Sequence, residues 1–285
     1  MKIIEVISKF LNKIKIELSM GTYEHYKSHF DHFLKWCSDN DCFDTSDLSE
    51  VVLNAYLFEL KETCSNRTIN MRIGNLQRCF KKMDIHSEYL LSIPKLKQRF
   101  VTYDFIDLPD IKKMRKYFYS VPKNDVNVYH AAIFLILMET GCRRSELIKI
   151  EKKNIDFDEY LIKFTSTKTS EDRIVPFKEK TAAILLQLCQ MNKDRYLFIS
   201  PTRNRQLTKV ELENIMRKYK KIFNFKKFHA HMFRHSFATL MIEAGVDRKT
   251  VQSMTGHKDS KSMDRYVHVR QSYVKQTYKD KYILD

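Results

Sequence analysis

In SNRTINMRIGNLQRCFKKM the apolar residues Ile69, Ile73, Leu76, Phe80 and Met83 recur at spacings of 4, 3, 4 and 3. That rhythm lays one apolar stripe along a helix. Arg72, Asn75, Arg78 and Lys82 stand between the stripe positions and make the polar side of the same helix. GTYEHYKSHFDHFLKWC predicts a second helix, with Tyr26, Phe30, Phe33 and Trp36 turned inward. The start, MKIIEVISKFLNKIKIELSM, reads as an amphipathic helix. His25, His29 and His32 share one face of the second helix, but no carboxylate or cysteine stands at a spacing that completes a tetrahedral zinc site. No metal is expected.

The helical pattern breaks over PKLKQRFVTYDFID, residues 94–107, where a proline precedes several extended-favouring residues. It resumes in LPDIKKMRKYFYSV, which opens with proline and aspartate in its first turn. VNVYHAAIFLILMET is mostly apolar, so it is expected at the centre of a second core. Between Asp156 and Phe177 the period changes: YLIKFTSTK and EDRIVPF favour strands and flank a polar turn, predicting a small antiparallel hairpin. Helices are predicted again at 179–191, at 208–222 and onward to the end. The expected fold is mainly α with a small antiparallel β-sheet, in two domains: residues 1–98, a linker at 99–107, and 108–285.

Charge narrows the class of partner. The formal net charge is +16, and it is uneven: residues 1–100 hold 15 Lys and Arg against 13 Asp and Glu, the remainder 36 against 22. Such a surplus suits a polyanion, either nucleic acid or an anionic membrane surface. Arg72, Asn75, Arg78 and Lys82 are then candidates for lying along DNA, although a solvated helix face explains them equally well. No apolar run reaches the roughly 18 residues of a membrane span. The N-terminus lacks the apolar centre and cleavage site of a secretory signal. Six cysteines without a C-x-x-C pair fit a reducing cytoplasm.

If the partner is a polynucleotide, the groups able to work on a phosphodiester can be counted. Its transfer transition state spreads negative charge over non-bridging oxygens, which positioned cations stabilise. The chain carries no Walker loop and no H-E-x-x-H, so Arg, Lys and His are the expected instruments. TGCRRSEL places Arg143 and Arg144 after a Thr-Gly break at a helix start, where a guanidinium can grip a phosphate with help from the positive helix end. Lys168 sits in the hairpin turn. In HMFRHSFATLMIEAG, His231 and Arg234 lie one helical turn apart with His235 alongside, while Phe237, Leu240 and Met241 are expected to anchor the helix in the core. His257 follows Gly256, and Tyr266 comes nine residues later in SMDRY. Each motif alone has an ordinary surface explanation.

Together, TGCRRSEL, STKTSEDRIVPF, HMFRHSFATLMIEAGV, TGH and the following tyrosine resemble the boxes of the tyrosine recombinases, or phage integrase family. They stand in the family's order over residues 100–270, and the helical N-terminal part is similar to the family's core-binding domain. The resemblance implies a site-specific recombinase in which Tyr266 is the nucleophile and His231 its base. Arg143, Arg234 and His257 would stabilise the phosphorane, Lys168 would protonate the leaving oxygen, and Glu146 would orient Arg143. It further implies a 3′-phosphotyrosyl intermediate and strand exchange through a Holliday junction, with neither metal nor ATP. The implied substrate is duplex DNA with an inverted-repeat site, bound by a dimer that pairs into a tetramer, with the tail carrying Tyr282, Ile283 and Leu284 docked on a neighbour. Arg143 is chosen over Arg144 by register alone; Thr167 and Thr169 replace flanking glycines, and SMDRY replaces the commoner Thr-Thr-x-x-Tyr. A type IB topoisomerase-like enzyme and a catalytically silent DNA-binding regulator are the alternatives.

Overall fold

The computed structural model describes residues 1–98, 104–122, 124–165 and 172–256. The chain forms two compact units, Met1–Val101 and Thr102–Asp285, each with its own core.

The first unit comprises helices α1 (Ile3–Glu17), α2 (Met20–Asp39), α3 (Glu50–Thr63), α4 (Asn66–Lys82) and the short α5 (Glu88–Ser92). Three of these are capped by a serine side chain. The hydroxyls of Ser19, Ser49 and Ser65 accept the backbone N–H of Thr22, Val52 and Thr68, satisfying donors that the first helical turn leaves open. Ile69, Ile73, Leu76 and Phe80 are buried along α4 as the stripe requires, with Met83 half-buried at its end. They meet Phe10, Phe30, Phe33 and Tyr56. Trp36 is buried too, and its indole N–H donates to Glu59 at 2.8 Å.

The second unit is built around α7 (Asp125–Thr140), whose residues from Val128 to Met138 are buried on every side. Helices α6 (Leu108–Ser120), α9 (Glu179–Gln190), α10 (Lys209–Ile222) and α11 (Ala230–Glu243) contribute to the same core, with α8 (Arg144–Ile148) and α12 (Arg248–Thr255) beside it. The predicted hairpin is strands β2 (Leu161–Phe164) and β3 (Arg173–Pro176), antiparallel, pairing Ile162 with Val175 and Phe164 with Arg173. A third strand, β1 (Ile155–Asp156), pairs with β2. Two residues are too few to leave an alternating pattern in the sequence.

Within the stretch expected as a linker, 99–107, Ile106 is only 1% exposed and its backbone N–H donates to Ser236 Oγ on α11 at 2.6 Å. An isolated isoleucine ahead of a proline-led helix carries no periodicity, so its burial in the second core was not legible.

Candidate active site

The site is built on the corner that follows α7. Gly141 ends that helix in the left-handed region (φ 57°), as helix C-caps often do. A Cβ there would lie 2.7 Å from Phe237 Cδ1, so α11 presses directly on the turn. Arg143 comes next, as the residue capping α8. Its backbone N–H donates to Glu146 Oε2 at 2.6 Å and its Nη1 to Glu146 Oε1 at 2.8 Å. Glu146 also receives a bidentate grip from Arg173, Nη1 to Oε1 at 2.9 Å and Nη2 to Oε2 at 2.7 Å. Burial alone would push the Glu146 carboxyl up. The hydrogen bonds and charge of Arg173, then those of Arg143, overcome it and hold the group at about 2.

Arg144 behaves differently from Arg143. It turns outward to pair with exposed Glu213 at 2.5 Å. The help expected from a positive helix end also shrinks, because α8 has five residues and too few aligned peptide dipoles. Glu146, rather than the helix, holds Arg143.

Helix α11 brings the second pair. Arg234 is 3% exposed and its Nη1 donates to the Gly141 carbonyl at 3.1 Å. His231 lies three residues earlier on the open side of the first turn, its ring 6.1 Å from that of His235. Desolvation, followed by the charges of Arg234, His229, Arg144 and Arg143, pushes His231 below the ordinary histidine value of 6.5. It is therefore neutral at pH 7 and able to accept a proton. Behind it, Phe237 is buried, whereas Leu240 and Met241 are half-buried against neighbouring clusters.

Helix α12 closes the arrangement at its C-terminus. Gly256 caps it in the left-handed region (φ 65°). Arg143 Nη2 donates to the Gly256 carbonyl, and Arg173 Nε donates to the Met254 carbonyl at 2.7 Å. The guanidiniums of Arg143 and Arg234 and the His231 imidazole thus stand about this corner, an arrangement suited to binding a tetrahedral oxyanion, while Arg173 is committed to the Glu146 carboxylate and the Met254 carbonyl. Lys168, His257 and Tyr266 lie outside the described residues. Among the described residues, no group of three or more His, Cys, Asp or Glu is arranged to hold a metal ion, and no helix is long and apolar enough to cross a membrane.

In the sequence Arg173 stands only as one residue of the strand-favouring run EDRIVPF. The overlooked sign was alternation: in Arg-Ile-Val-Pro, Val175 faces the core, and so must Arg173. An arginine on the buried face of a strand requires partners.

The polar side of α4 is more engaged than its sequence suggested. Arg72 Nη1 lies 2.9 Å from His32 Nε2, and Asn75 Nδ2 lies 2.9 Å from His29 Nδ1. Arg78 donates to the Tyr26 hydroxyl, and Lys82 pairs with Glu17. Burial, then the charges of His25 and Arg72, lowers His29 to about 4 and keeps it an acceptor. Arg72 and Asn75 are half-buried in this seam, while Arg78 and Lys82 stay exposed. Periodicity separates apolar from polar faces but does not reveal that a polar face meets another helix.

The sequence model of the phage integrase family matches residues 109–272, and that of the phage integrase SAM-like domain matches residues 2–89. A tyrosine recombinase of Pseudothermotoga lettingae is 27% identical, covering 94% of each chain. Tyrosine recombinase XerC of Lacticaseibacillus casei is 26% identical over 98% of this chain and 97% of its own. Among solved structures, the Tn1549 transposon integrase in complex with circular intermediate DNA superposes with a TM-score of 0.76 at 18% identity, covering 98% of this chain and 99% of that one. A lambda integrase dimer bound to a COC′ core site gives a TM-score of 0.74 at 14% identity, over 93% of this chain and 77% of that one. At these identities the structural likeness concerns the fold.

Proposed function

The chain belongs to the phage integrase family of tyrosine recombinases, and on that premise we propose that it cuts and rejoins duplex DNA through a covalent 3′-phosphotyrosyl intermediate. The observation that carries this reading is that Arg234 and Arg143 meet at the corner between α7 and α8, with His231 one turn before Arg234 on α11. Tyr266 Oη attacks the scissile phosphorus. The new O–P bond forms as the bond to the 5′ oxygen breaks. A phenol of pKa about 10 is a weak nucleophile at neutral pH, so its proton passes to His231. Arg143 and Arg234 stabilise the charge on the non-bridging oxygens, His257 adds a hydrogen bond, and Lys168 protonates the departing 5′ oxygen.

The phosphotyrosyl bond conserves the phosphodiester energy, so neither ATP nor metal is needed for rejoining. Attack by the 5′-hydroxyl of a partner duplex completes strand exchange through a Holliday junction. We assign residues 1–98 as the core-binding domain, with the α4 edge of Arg72, Asn75, Arg78 and Lys82 held in register by its bonds to α1 and α2. Residues 108–285 form the catalytic domain. The substrate is an inverted-repeat site in cytoplasmic DNA, with a dimer on each site and a tetramer in synapsis.

The test uses nicked duplexes tiled from the DNA flanking the coding sequence, resolved on a denaturing gel with a chelator present. Wild type is expected to give a covalent adduct and Tyr266→Phe none. An adduct from the phenylalanine variant, or none from wild type on duplexes that it binds, contradicts the proposal.

A further inference from the structure

Arg173 has no part in the chemistry just described, yet every nitrogen of its side chain is committed. It is 7% exposed, and each of its three nitrogens already donates: Nη1 and Nη2 to Glu146, Nε to the Met254 carbonyl. Its guanidinium carbon also lies 4.7 Å from the ring centre of Phe164, its cross-strand partner. A guanidinium held in this way is not a phosphate ligand. Burying one is costly unless fully paired, and here the pairing ties together three separate parts of the chain.

The first is Glu146, which holds Arg143. The second is the base of the hairpin, since Phe164 and Arg173 flank the turn that includes Lys168 in sequence. The third is the C-terminus of α12, gripped at Met254, three residues before His257. The fit at that end is close: a Cβ on Gly256 would stand 3.2 Å from Arg173 Nη1 and 3.4 Å from Arg143 Nη1. Lysine could keep the charge but not the fork, because one ammonium cannot span both carboxylate oxygens and a carbonyl lying in another direction.

We propose that Arg173 is a positioning residue for strand cleavage, setting Arg143, the hairpin of Lys168 and the segment leading into His257 in register with one another through Glu146, Phe164 and Met254. This rests on the recombinase reading. Displacing reacting groups by about 1 Å can cost on the order of 100-fold in rate without touching the chemistry itself.

The experiment measures single-turnover cleavage and DNA affinity separately on the same tiled nicked duplexes, for wild type, Arg173→Lys, Arg173→Met, Glu146→Gln and the Glu146→Gln/Arg173→Met double variant. Thermal unfolding establishes which variants are folded, and Arg173→Lys carries the test if the methionine variant is not. Both Arg173 variants are expected to cleave about 10- to 100-fold more slowly, with DNA affinity within about threefold of wild type. In the double variant the losses should be less than multiplicative, because one shared route has already been cut. Wild-type cleavage rates in both folded Arg173 variants, or fully multiplicative losses, overturn the inference and leave the recombinase reading standing. Absence of any adduct from wild type on bound duplexes overturns both.

Discussion

Glu146 concentrates the electrostatics of the second unit in one side chain. Its carboxyl is held at about 2, against 4.5 for the free group. A carboxyl lowered by folding contributes stability that is fully present above the unfolded value and is lost as pH falls through the folded one. The window here runs from 4.5 down to about 2, and the contribution at neutral pH is on the order of 3 kcal/mol. Urea unfolding of wild type and Glu146→Gln should show the widest stability gap near neutrality, narrowing steadily across that window. A gap independent of pH would mean that the Arg173 and Arg143 bonds do not hold the charged form. His231 is shifted in the same direction for a different reason: desolvation and the neighbouring cations disfavour its charged form, which favours an unprotonated acceptor in the range where a phenol needs one.

Among the elements, the turn between α7 and α8 is the most constrained. Gly141 combines a φ of 57° with the close approach of Phe237, whose Cδ1, Cγ and Cβ would all lie within 3.0 Å of an added methyl. Because Phe237 Cβ is among them, rotating the ring gives no relief. Gly141→Ala should therefore cost about 2–4 kcal/mol, from the left-handed strain together with the displaced helix. Chemical denaturation measures this directly, and a loss below about 1 kcal/mol would show that α11 yields easily. Helix starts are simpler. Ser19, Ser49 and Ser65 cap three helices of the first unit through contacts three residues long, so they could be read before any fold was known. β1 could not, because its two residues become a strand only when β2 lies beside them.

At the scale of the whole molecule, the charge surplus of +16 governs association with a polyanion. Most of that surplus follows residue 100, so the second unit should supply most of the non-specific attraction. Affinity for duplex DNA, followed by fluorescence anisotropy, should fall about 100-fold or more between 50 and 200 mM salt through the re-binding of counterions. A flat response would remove phosphate contacts as the main source of binding.

The mainly helical class, the two-unit organisation, the strand hairpin, and Arg143, His231 and Arg234 as a set worth examining were all legible in the order of residues. Those features depend on periodicity, capping and short motifs, whose interactions span a few positions. Only the folded chain decided that Arg144 turns away to Glu213, that Ile106 belongs to the second core, and that the polar side of α4 meets the histidines of α2. It alone revealed Arg173 as the second support of Glu146. The bonds responsible join residues 27 apart for Arg173 and Glu146, 93 for Arg234 and Gly141, and 113 for Arg143 and Gly256. No local pattern encodes such pairings; they arise when burial of two cores brings distant polar groups together and leaves each of them in need of a partner.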